Sequence, residues 1–179
     1  NYKKIFDKIK IDYNKLEVVN KSLDSFSTNE KFDFIFSINV FEHVTDQFRY
    51  IDKTLDLLNK NGKNIIICPN YDFPYEPHFV LPIIINKKIT HFLFKSIIKK
   101  HEIKTKEFGL WSELNLTGKK IIEKYLRKNN INYNLDYSIK ERMLNRASVD
   151  KIFKKRQGIA ATLAVLSKFF FIDKIMFSI

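Results

Sequence analysis

Residues 32–46, FDFIFSINVFEHVTD, decide the fold, because a strand and the start of a helix adjoin within this stretch. The first seven residues, Phe32–Ile38, are almost all apolar, which predicts a strand covered on both faces. Thr45 or Asp46 can cap the following helix with a side-chain oxygen. Apolar residues then recur at helical spacing, at Phe48, Ile51, Leu55 and Leu58. The stretch therefore predicts a strand that leads directly into an amphipathic helix.

Two shorter apolar runs flank this pair of elements. Residues 16–20, LEVVN, and residues 64–68, NIIIC, are both predicted to be strands. The intervening helix is predicted to end at residues 59–62, where Gly62 supplies a left-handed stop. Elements in this order predict an α/β fold, with a Rossmann-like doubly wound, mostly parallel sheet. Ligands bind such sheets beyond the carboxyl ends of the strands.

The second half of the chain has weaker patterns. Residues 89–98 are predicted to be helical, and Thr117 can cap a further helix. The residues of that helix expected to face inward are Ile121, Ile122, Tyr125 and Leu126. Residues 131–137 alternate between apolar and polar side chains, which predicts a half-exposed strand. We assign residues 1–137 to one partial domain and residues 138–179 to a basic and apolar helical extension of it.

The ordered motifs across residues 16–70 resemble those of class I S-adenosylmethionine (SAM) dependent methyltransferases. In that family an FD pair opens the fourth strand and a hydrophobic-Glu-His-Val run opens the next helix, as in FDFIFSINVFEHV here. Residues 57–62, LLNKNG, resemble the family's turn before the fifth strand, and residues 65–70, IIICPN, resemble that strand. Residues 69–79, PNYDFPYEPHF, resemble a subset associated with sugar, surface-glycan or lipid-linked substrates.

The family's glycine-rich turn and its acidic ribose-binding residue have no counterpart in this sequence. The chain has only 4 glycines, whereas a nucleotide-binding α/β domain usually uses several in its first loop. We therefore expect a domain that lacks the first β-α-β unit, that is, an N-terminally incomplete methyltransferase. Glycines in that unit allow close backbone approach to the cofactor, so we expect these 179 residues to bind SAM poorly by themselves.

The resemblance implies four residues that border the cofactor, S-adenosyl-L-methionine. Ser22 and Leu23 match the loop that lies along adenine; the alternative is an ordinary loop after a strand. Ile38 and Asn39 match the turn after the fourth strand, which borders the methionine end of SAM.

Five further residues are candidates for catalysis and for acceptor binding. His43 is the predicted general base, because its reference pKa near 6.5 allows proton transfer at neutral pH. The alternative is a structural histidine that caps the helix beside Glu42, which we expect to orient His43 or the start of the helix. Tyr71, Glu76 and His78 lie in the loop predicted to reach the acceptor; a packed aromatic loop is the alternative.

Metal binding and membrane crossing are not predicted. The four histidines, at positions 43, 78, 91 and 101, share no ligand spacing, and no cysteine pair accompanies them. Cys68 cannot form an internal disulfide because it is the single cysteine, which favours a reducing cytoplasm. The sequence contains no stretch of 18 apolar residues, so no membrane span is predicted.

The charge is concentrated in the second half. Residues 1–80 carry 11 basic and 12 acidic side chains, whereas residues 81–179 carry 21 basic and 8 acidic ones. This half could contact phosphate, acidic saccharide or anionic lipid; the alternative is a codon bias toward lysine.

Residues 151–179 combine basic and apolar side chains, so they either bind an anionic membrane surface or pack on the sheet. Nucleic acid is disfavoured, because no known recognition motif is present.

Two functions remain open from the sequence. The first is an enzyme that methylates a small-molecule, glycan or lipid-linked acceptor. The second is a non-catalytic binding module derived from the same fold. We expect a cytoplasmic protein in either case, with peripheral binding at the inner face of the membrane as the alternative location.

Overall fold

The computed structural model describes residues 16–105, 109–136, 145–146, 149–152 and 172–178. Its strands and helices are β1 Phe32–Ile38, α1 Gln47–Asp56, β2 Leu58–Pro69, β3 Tyr75–Glu76, β4 Leu81–Pro82, α2 Lys87–Lys104, α3 Lys119–Lys128, β5 Asn132–Asp136 and β6 Ile172–Ser178. Two short 3-10 turns lie at Phe41–His43 and Trp111–Glu113. The predicted α/β class is confirmed. No helix in the described ranges is long and apolar enough to cross a membrane.

Four strands form one mixed sheet, in the order β1-β2-β6-β5. β1 and β2 are parallel, as predicted, and α1 connects them. β6 is antiparallel to both of its neighbours. β3 and β4 form a separate two-stranded sheet.

The position of β6 corrects the prediction of a helical C-terminal extension. Ile172–Ser178 is a strand, and it pairs with β2 from Pro69 to Lys63 and with β5 on its other edge. Its backbone groups are therefore bonded on both sides. A short apolar run does not by itself distinguish a buried helix from a strand, because both are apolar throughout. Most of the remaining extension, like residues 1–15, lies outside the described residues.

Two predictions around β1 were wrong. Residues 16–20 form neither helix nor strand, and their side chains are exposed because no described strand pairs with them. β1 has its predicted bounds but is not covered on both faces, since Phe34 is 65% exposed and Phe36 is 71% exposed. Among the described strands, β1 is the last at its end of the sheet. No described element packs over that face.

The junction between α1 and β2 also differs from the prediction. The helix ends at Asp56, and the strand begins at Leu58, well before the predicted Asn64. The left-handed residue is Asn61, with φ 68°, and not Gly62. A Cβ atom on Gly62 would lie 2.9 Å from the carbonyl oxygen of Phe32. Gly62 therefore allows β2 to approach β1 closely at the point where their register shifts.

The helices begin at side-chain caps, one of which comes from a distant loop. Asp46 caps α1, as predicted, by accepting hydrogen bonds from the backbone of Phe48 and Arg49. Thr117 does not cap α3; the N-cap residue is Gly118, which has no capping side chain. The loop after β2 supplies the acceptors instead.

The loop acceptors at α3 are two side chains more than forty residues upstream. The Oδ1 atom of Asn70 accepts from the backbone N–H of Lys119 at 2.9 Å. The Oδ2 atom of Asp72 accepts from the backbone N–H of Lys120 at 3.0 Å. These bonds satisfy helix donors that have no partner within the helix, so they hold the loop after β2 against α3.

The described residues form two apolar clusters. The first joins the sheet to α1 and α3 and contains Phe41, Ile51, Ile66, Cys68, Ile122 and Leu126. The second lies under α2 and contains Phe79, Leu81, Ile98, Trp111 and Leu114.

Residues 89–98 are helical, as predicted, within the longer α2. Ile121 is 53% exposed, so its predicted inward position was wrong.

Candidate active site

The residues predicted for catalysis lie in the 3-10 turn directly after β1. Asn39 ends the strand with φ 53°, and its backbone N–H donates to the carbonyl of Ile67 on β2 at 2.8 Å. The chain therefore turns sharply at the carboxyl end of the sheet, and Glu42 follows within the turn. The backbone N–H of Asn115 donates to the carbonyl of Glu42 at 2.6 Å, which holds the turn from the opposite side.

The loop after β2 is organised around a buried carboxylate, that of Glu76. This side chain is 0% exposed. Its Oε1 atom accepts from the hydroxyl of Tyr71 at 3.2 Å and from Nδ1 of His78 at 2.6 Å. Its Oε2 atom accepts from the backbone N–H of Phe79 at 2.6 Å. The three residues predicted to face the acceptor, Tyr71, Glu76 and His78, are thus joined by hydrogen bonds.

His78 connects this loop to the turn after β1. Its Nε2 atom lies 3.6 Å from Oε1 of Glu42, a side chain that is only 1% exposed. The ring of His78 also meets the ring of His43 edge to face, with 5.9 Å between the centroids. The structure therefore brings Glu42, His43 and His78 together, although 35 positions separate the two histidines in the chain.

The environment of the cluster shifts the pKa values of its members in different directions. Burial raises the pKa of the Glu42 carboxyl, because the charged form loses its hydration. Burial likewise lowers the pKa of His43, and nearby His78 adds to this effect. The hydrogen bond to Glu76 raises the pKa of His78, which stabilises its protonated ring. Burial also raises the pKa of Tyr71, so its hydroxyl stays protonated and donates.

This arrangement can bind a positive charge or transfer a proton. Within the described residues, neither carboxylate oxygen of Glu42 has a hydrogen-bond partner, and neither does Nδ1 of His43. A buried polar atom without a partner is costly, and such atoms recur where a ligand or ion completes the site. The cluster is therefore the strongest candidate for chemistry in the described part of the chain.

No hydrogen bond or ion pair among the described residues joins the four residues predicted to border SAM to the side chains of this cluster. Ser22 and Leu23 belong to a loop that closes on itself, with the carbonyl of Ser22 accepting from Phe26 at 2.9 Å. The loop is tied to α1 by an ion pair between Asp24 and Arg49 at 3.2 Å. Ile38 is 55% exposed at the end of β1, and Asn39 is exposed after it. No described contact joins the first pair to the second.

Two residues near the cluster had no signal in the sequence. Asn115 bonds to the turn after β1 twice, through its backbone to Glu42 and through its side chain to the carbonyl of Val44. Gly109 lies beside the imidazole, because a Cβ atom there would be 3.8 Å from Cε1 of His43. Both lie about seventy residues after the turn, so only the fold places them there.

A small cavity lies beside the cluster, at the carboxyl end of β2. Its lining residues are Phe41, Cys68, Pro69, Asn70, Thr117, Lys119 and Ile122. Phe41 directly precedes Glu42 in the 3-10 turn, whereas Glu42, His43 and His78 are not among the lining residues.

Two curated proteins of Mycobacterium tuberculosis are similar to this chain in sequence. They are the uncharacterized protein MT1557 of strain CDC 1551 / Oshkosh and the uncharacterized protein Rv1509 of strain ATCC 25618 / H37Rv. Each is 28% identical over 145 residues, which cover 80% of this chain and 50% of the relative. The chain thus spans about half the length of the curated relatives it matches. No family model matches the chain.

Several solved structures are similar in fold. The plantazolicin methyltransferase BpumL, in complex with a desmethylPZN analog and SAH, has a TM-score of 0.49 at 14% identity and covers 92% of this chain and 61% of its own. The mycolic acid cyclopropane synthase CmaA1, complexed with SAH and CTAB, has a TM-score of 0.48 at 11% identity, with coverages of 89% and 58%. PKMT2 from Rickettsia typhi, in complex with AdoHcy, has a TM-score of 0.45 at 19% identity, with coverages of 97% and 40%.

Proposed function

We propose that this chain forms the acceptor side of a SAM-dependent methyltransferase. One observation carries the proposal: residues from the family-like motif and from the loop after β2 meet at the carboxyl ends of two parallel strands. Glu42 follows β1, His78 follows β2, and their side chains approach to 3.6 Å. The carboxyl ends of parallel strands are where α/β proteins bind ligands, so the cluster occupies the expected position for an active site.

We propose that SAM lies along the same edge of the sheet, between the loop at Ser22–Leu23 and the turn at Ile38–Asn39. The exposure of Ile38 and Asn39 supports this, because side chains at the end of a strand are free to contact a ligand. SAM would supply a methyl group already activated by its sulfonium. The glycine-rich turn that the family uses has no counterpart among these 179 residues, so the four residues account for only part of a cofactor site.

We propose that the acceptor binds above Glu42 and His43 and that the loop after β2 orients it. Methyl transfer needs the nucleophile aligned with the methyl group, and often the removal of a proton. Tyr71 and His78 are held rigidly by the buried Glu76, which suits an orienting role. Glu42 and His43 are the candidate catalytic pair, because each has a buried side-chain atom without a hydrogen-bond partner among the described residues and could accept a proton from an acceptor hydroxyl.

A calorimetric titration with SAM tests this proposal. We expect the 179-residue chain to bind SAM at least tenfold more weakly than a chain extended upstream along its own reading frame. We expect the extended chain to transfer a labelled methyl group from SAM, and a Glu42→Gln/His43→Asn double variant to lose transfer while it retains SAM binding. An extended chain that binds acceptor but never SAM would overturn the enzyme and support a non-catalytic binding module.

We propose that the acceptor is a small-molecule, glycan or lipid-linked compound and that the basic half contacts an anionic membrane surface. The excess of basic side chains in residues 81–179 supports this partner. Deletion of residues 151–179 is not a clean test, because it removes β6 from between β2 and β5. A Lys154→Gln/Lys155→Gln/Arg156→Gln triple variant keeps the strand. Co-sedimentation with anionic vesicles should fall for this variant, and equal co-sedimentation of both proteins would exclude the basic run as the contact.

A further inference from the structure

We propose that Glu42, His43 and His78 form a binding site for a divalent transition-metal ion such as Zn²⁺. Each of the three side chains offers one ligand atom, and these atoms all lie within 4.8 Å of one another. Two imidazoles and one carboxylate are ligands that zinc and iron use in proteins, whereas Mg²⁺ prefers oxygen ligands alone. The sequence predicts no metal site, because the two histidines have no ligand spacing; the fold brings them together.

The distance between two of the ligand atoms already suits a metal ion. Zinc lies about 2.0–2.2 Å from nitrogen and oxygen ligands, so two ligands of a tetrahedral ion are about 3.4 Å apart. Nε2 of His78 and Oε1 of Glu42 are separated by 3.6 Å. An ion therefore fits between them with a shift of a few tenths of an ångström. A ring nitrogen of His43 lies within 4.8 Å of both atoms and provides the third ligand.

The state of Glu42 is the second reason for the proposal. Its carboxylate is 1% exposed, and within the described ranges both of its oxygens lack a hydrogen-bond partner. A buried carboxylate is costly unless it is paired or coordinates a metal. Nε2 of His78 lies 3.6 Å from Oε1 of Glu42, a distance longer than a hydrogen bond. A bound ion would satisfy both the charge and the free oxygens.

The orientation of His78 is the third reason. Its Nδ1 atom donates to the buried Glu76, which leaves Nε2 directed at Glu42. Histidines that bind metals almost always donate their other ring N–H to a carboxylate or carbonyl group, which fixes the ring and strengthens the ligand. Glu76 is in turn held by Tyr71 and by the backbone of Phe79. The loop after β2 thus forms the outer support that a metal site needs.

Three protein ligands leave at least one coordination position open, as in catalytic zinc sites. An acceptor oxygen in that position would be polarised by the ion and would lose its proton more easily. In the ion-bound protein, His43 is a ligand and the ion takes over the activation of the acceptor. That chemical role rests on the proposed methyl transfer, but binding of the ion does not.

Calorimetric titration of the chelator-treated 179-residue chain with Zn²⁺ alone tests the site. We expect one equivalent to bind, and thermal unfolding to shift to higher temperature when Zn²⁺ is added. Glu42→Gln and His78→Asn should each weaken binding at least tenfold. Glu76→Gln, which removes only the outer support, should weaken binding by about 10- to 100-fold. Circular dichroism of each variant shows whether it is folded.

His91→Asn is the matched control, because His91 is exposed on α2 and lies outside the cluster. It should bind Zn²⁺ as the unchanged chain does. The proposal is overturned if the unchanged chain binds no Zn²⁺, if the His91 variant loses as much affinity as the His78 variant, or if equimolar Mg²⁺ displaces the ion. Because these readouts do not involve SAM, failure of the metal site and failure of the proposed methyl transfer are distinguishable.

Discussion

Nδ1 of His78 lies 2.6 Å from Oε1 of Glu76, and this hydrogen bond determines which edge of the imidazole faces the turn after β1. Glu76 is fully buried, so the bond forms where water cannot compete with it. The second ring nitrogen is consequently directed at Glu42. The geometry of the whole cluster therefore depends on one side chain that belongs to the short strand β3.

The first prediction concerns Glu76→Gln. The glutamine keeps the size of the side chain but loses the charge that strengthens the bonds to His78 and to the backbone of Phe79. Hydrogen bonds to charged groups contribute about 1.5–3 kcal/mol, so we expect the free energy of unfolding to fall by about that amount in urea denaturation. Glu30→Gln is the control, since its exposed carboxylate takes part in no described contact, and it should change stability by less than about 0.5 kcal/mol. Equal stability of the two variants would contradict the role of Glu76.

The second prediction concerns a buried polar pair between α1 and β2. The Nδ2 atom of Asn64 donates to the hydroxyl of Thr54 at 2.5 Å, and both side chains are at most 1% exposed. Thr54→Val removes the acceptor hydroxyl, so the buried side-chain amide of Asn64 loses its hydrogen-bond partner. We expect a loss of about 1–3 kcal/mol in urea denaturation, the cost of an unsatisfied buried donor.

A double-mutant cycle adds a sharper test of the same pair. Asn64→Leu alone leaves the Thr54 hydroxyl bonded to the carbonyl of Ile51, so its cost should be smaller than that of Thr54→Val. The double variant removes both polar groups, so its cost should be less than the sum of the single costs. Additive single costs would mean that the two side chains do not interact.

The third prediction concerns the start of α3. Asp72→Ala removes an acceptor from the backbone N–H of Lys120, and we expect a loss of about 0.5–2 kcal/mol in thermal or urea unfolding, as for other helix caps. Thr117→Ala is the informative comparison, because the sequence predicts Thr117 as the cap and the structure does not use it. It should change stability by less than about 0.5 kcal/mol. A larger loss of stability from Thr117→Ala than from Asp72→Ala would support Thr117 as the cap, as the sequence predicts.

The fourth prediction concerns the exposed face of β1. Phe34 and Phe36 project from a strand at the end of the described sheet, and exposed apolar edge strands promote association. We expect the 179-residue chain to self-associate in light scattering, and Phe36→Lys to reduce this association markedly. Phe92→Lys, on the exposed side of α2, removes a similar apolar area away from the strand. If both variants reduce self-association equally, the exposed face of β1 does not cause the self-association.

Local signals were sufficient for the bounds of β1 and for the start of α1. The bounds of β1 were predicted correctly, because a short apolar run between polar residues is a strand signal in itself. Asp46 was recognised as one of two candidate caps, because the backbone N–H donors that its side chain accepts from lie two and three residues away. The end of α1 was not recognised, because the sequence assigned Gly62 to the helix stop. In the structure Gly62 instead allows close approach to Phe32, a contact between strands that leaves no local pattern in the sequence.

The sequence by itself determined the α/β class and the parallel pair β1 and β2, and it named Glu42, His43 and His78 only as candidates. Tertiary structure alone decided that Ile172–Ser178 is a strand between β2 and β5, and that Asn70 and Asp72 support α3. It also brought ligand atoms of Glu42, His43 and His78 within 4.8 Å of one another. The physical reason is the same in each case: strand pairing, distant capping and the clustering of side chains depend on distances in space, whereas spacing along the chain records only neighbours within a few residues.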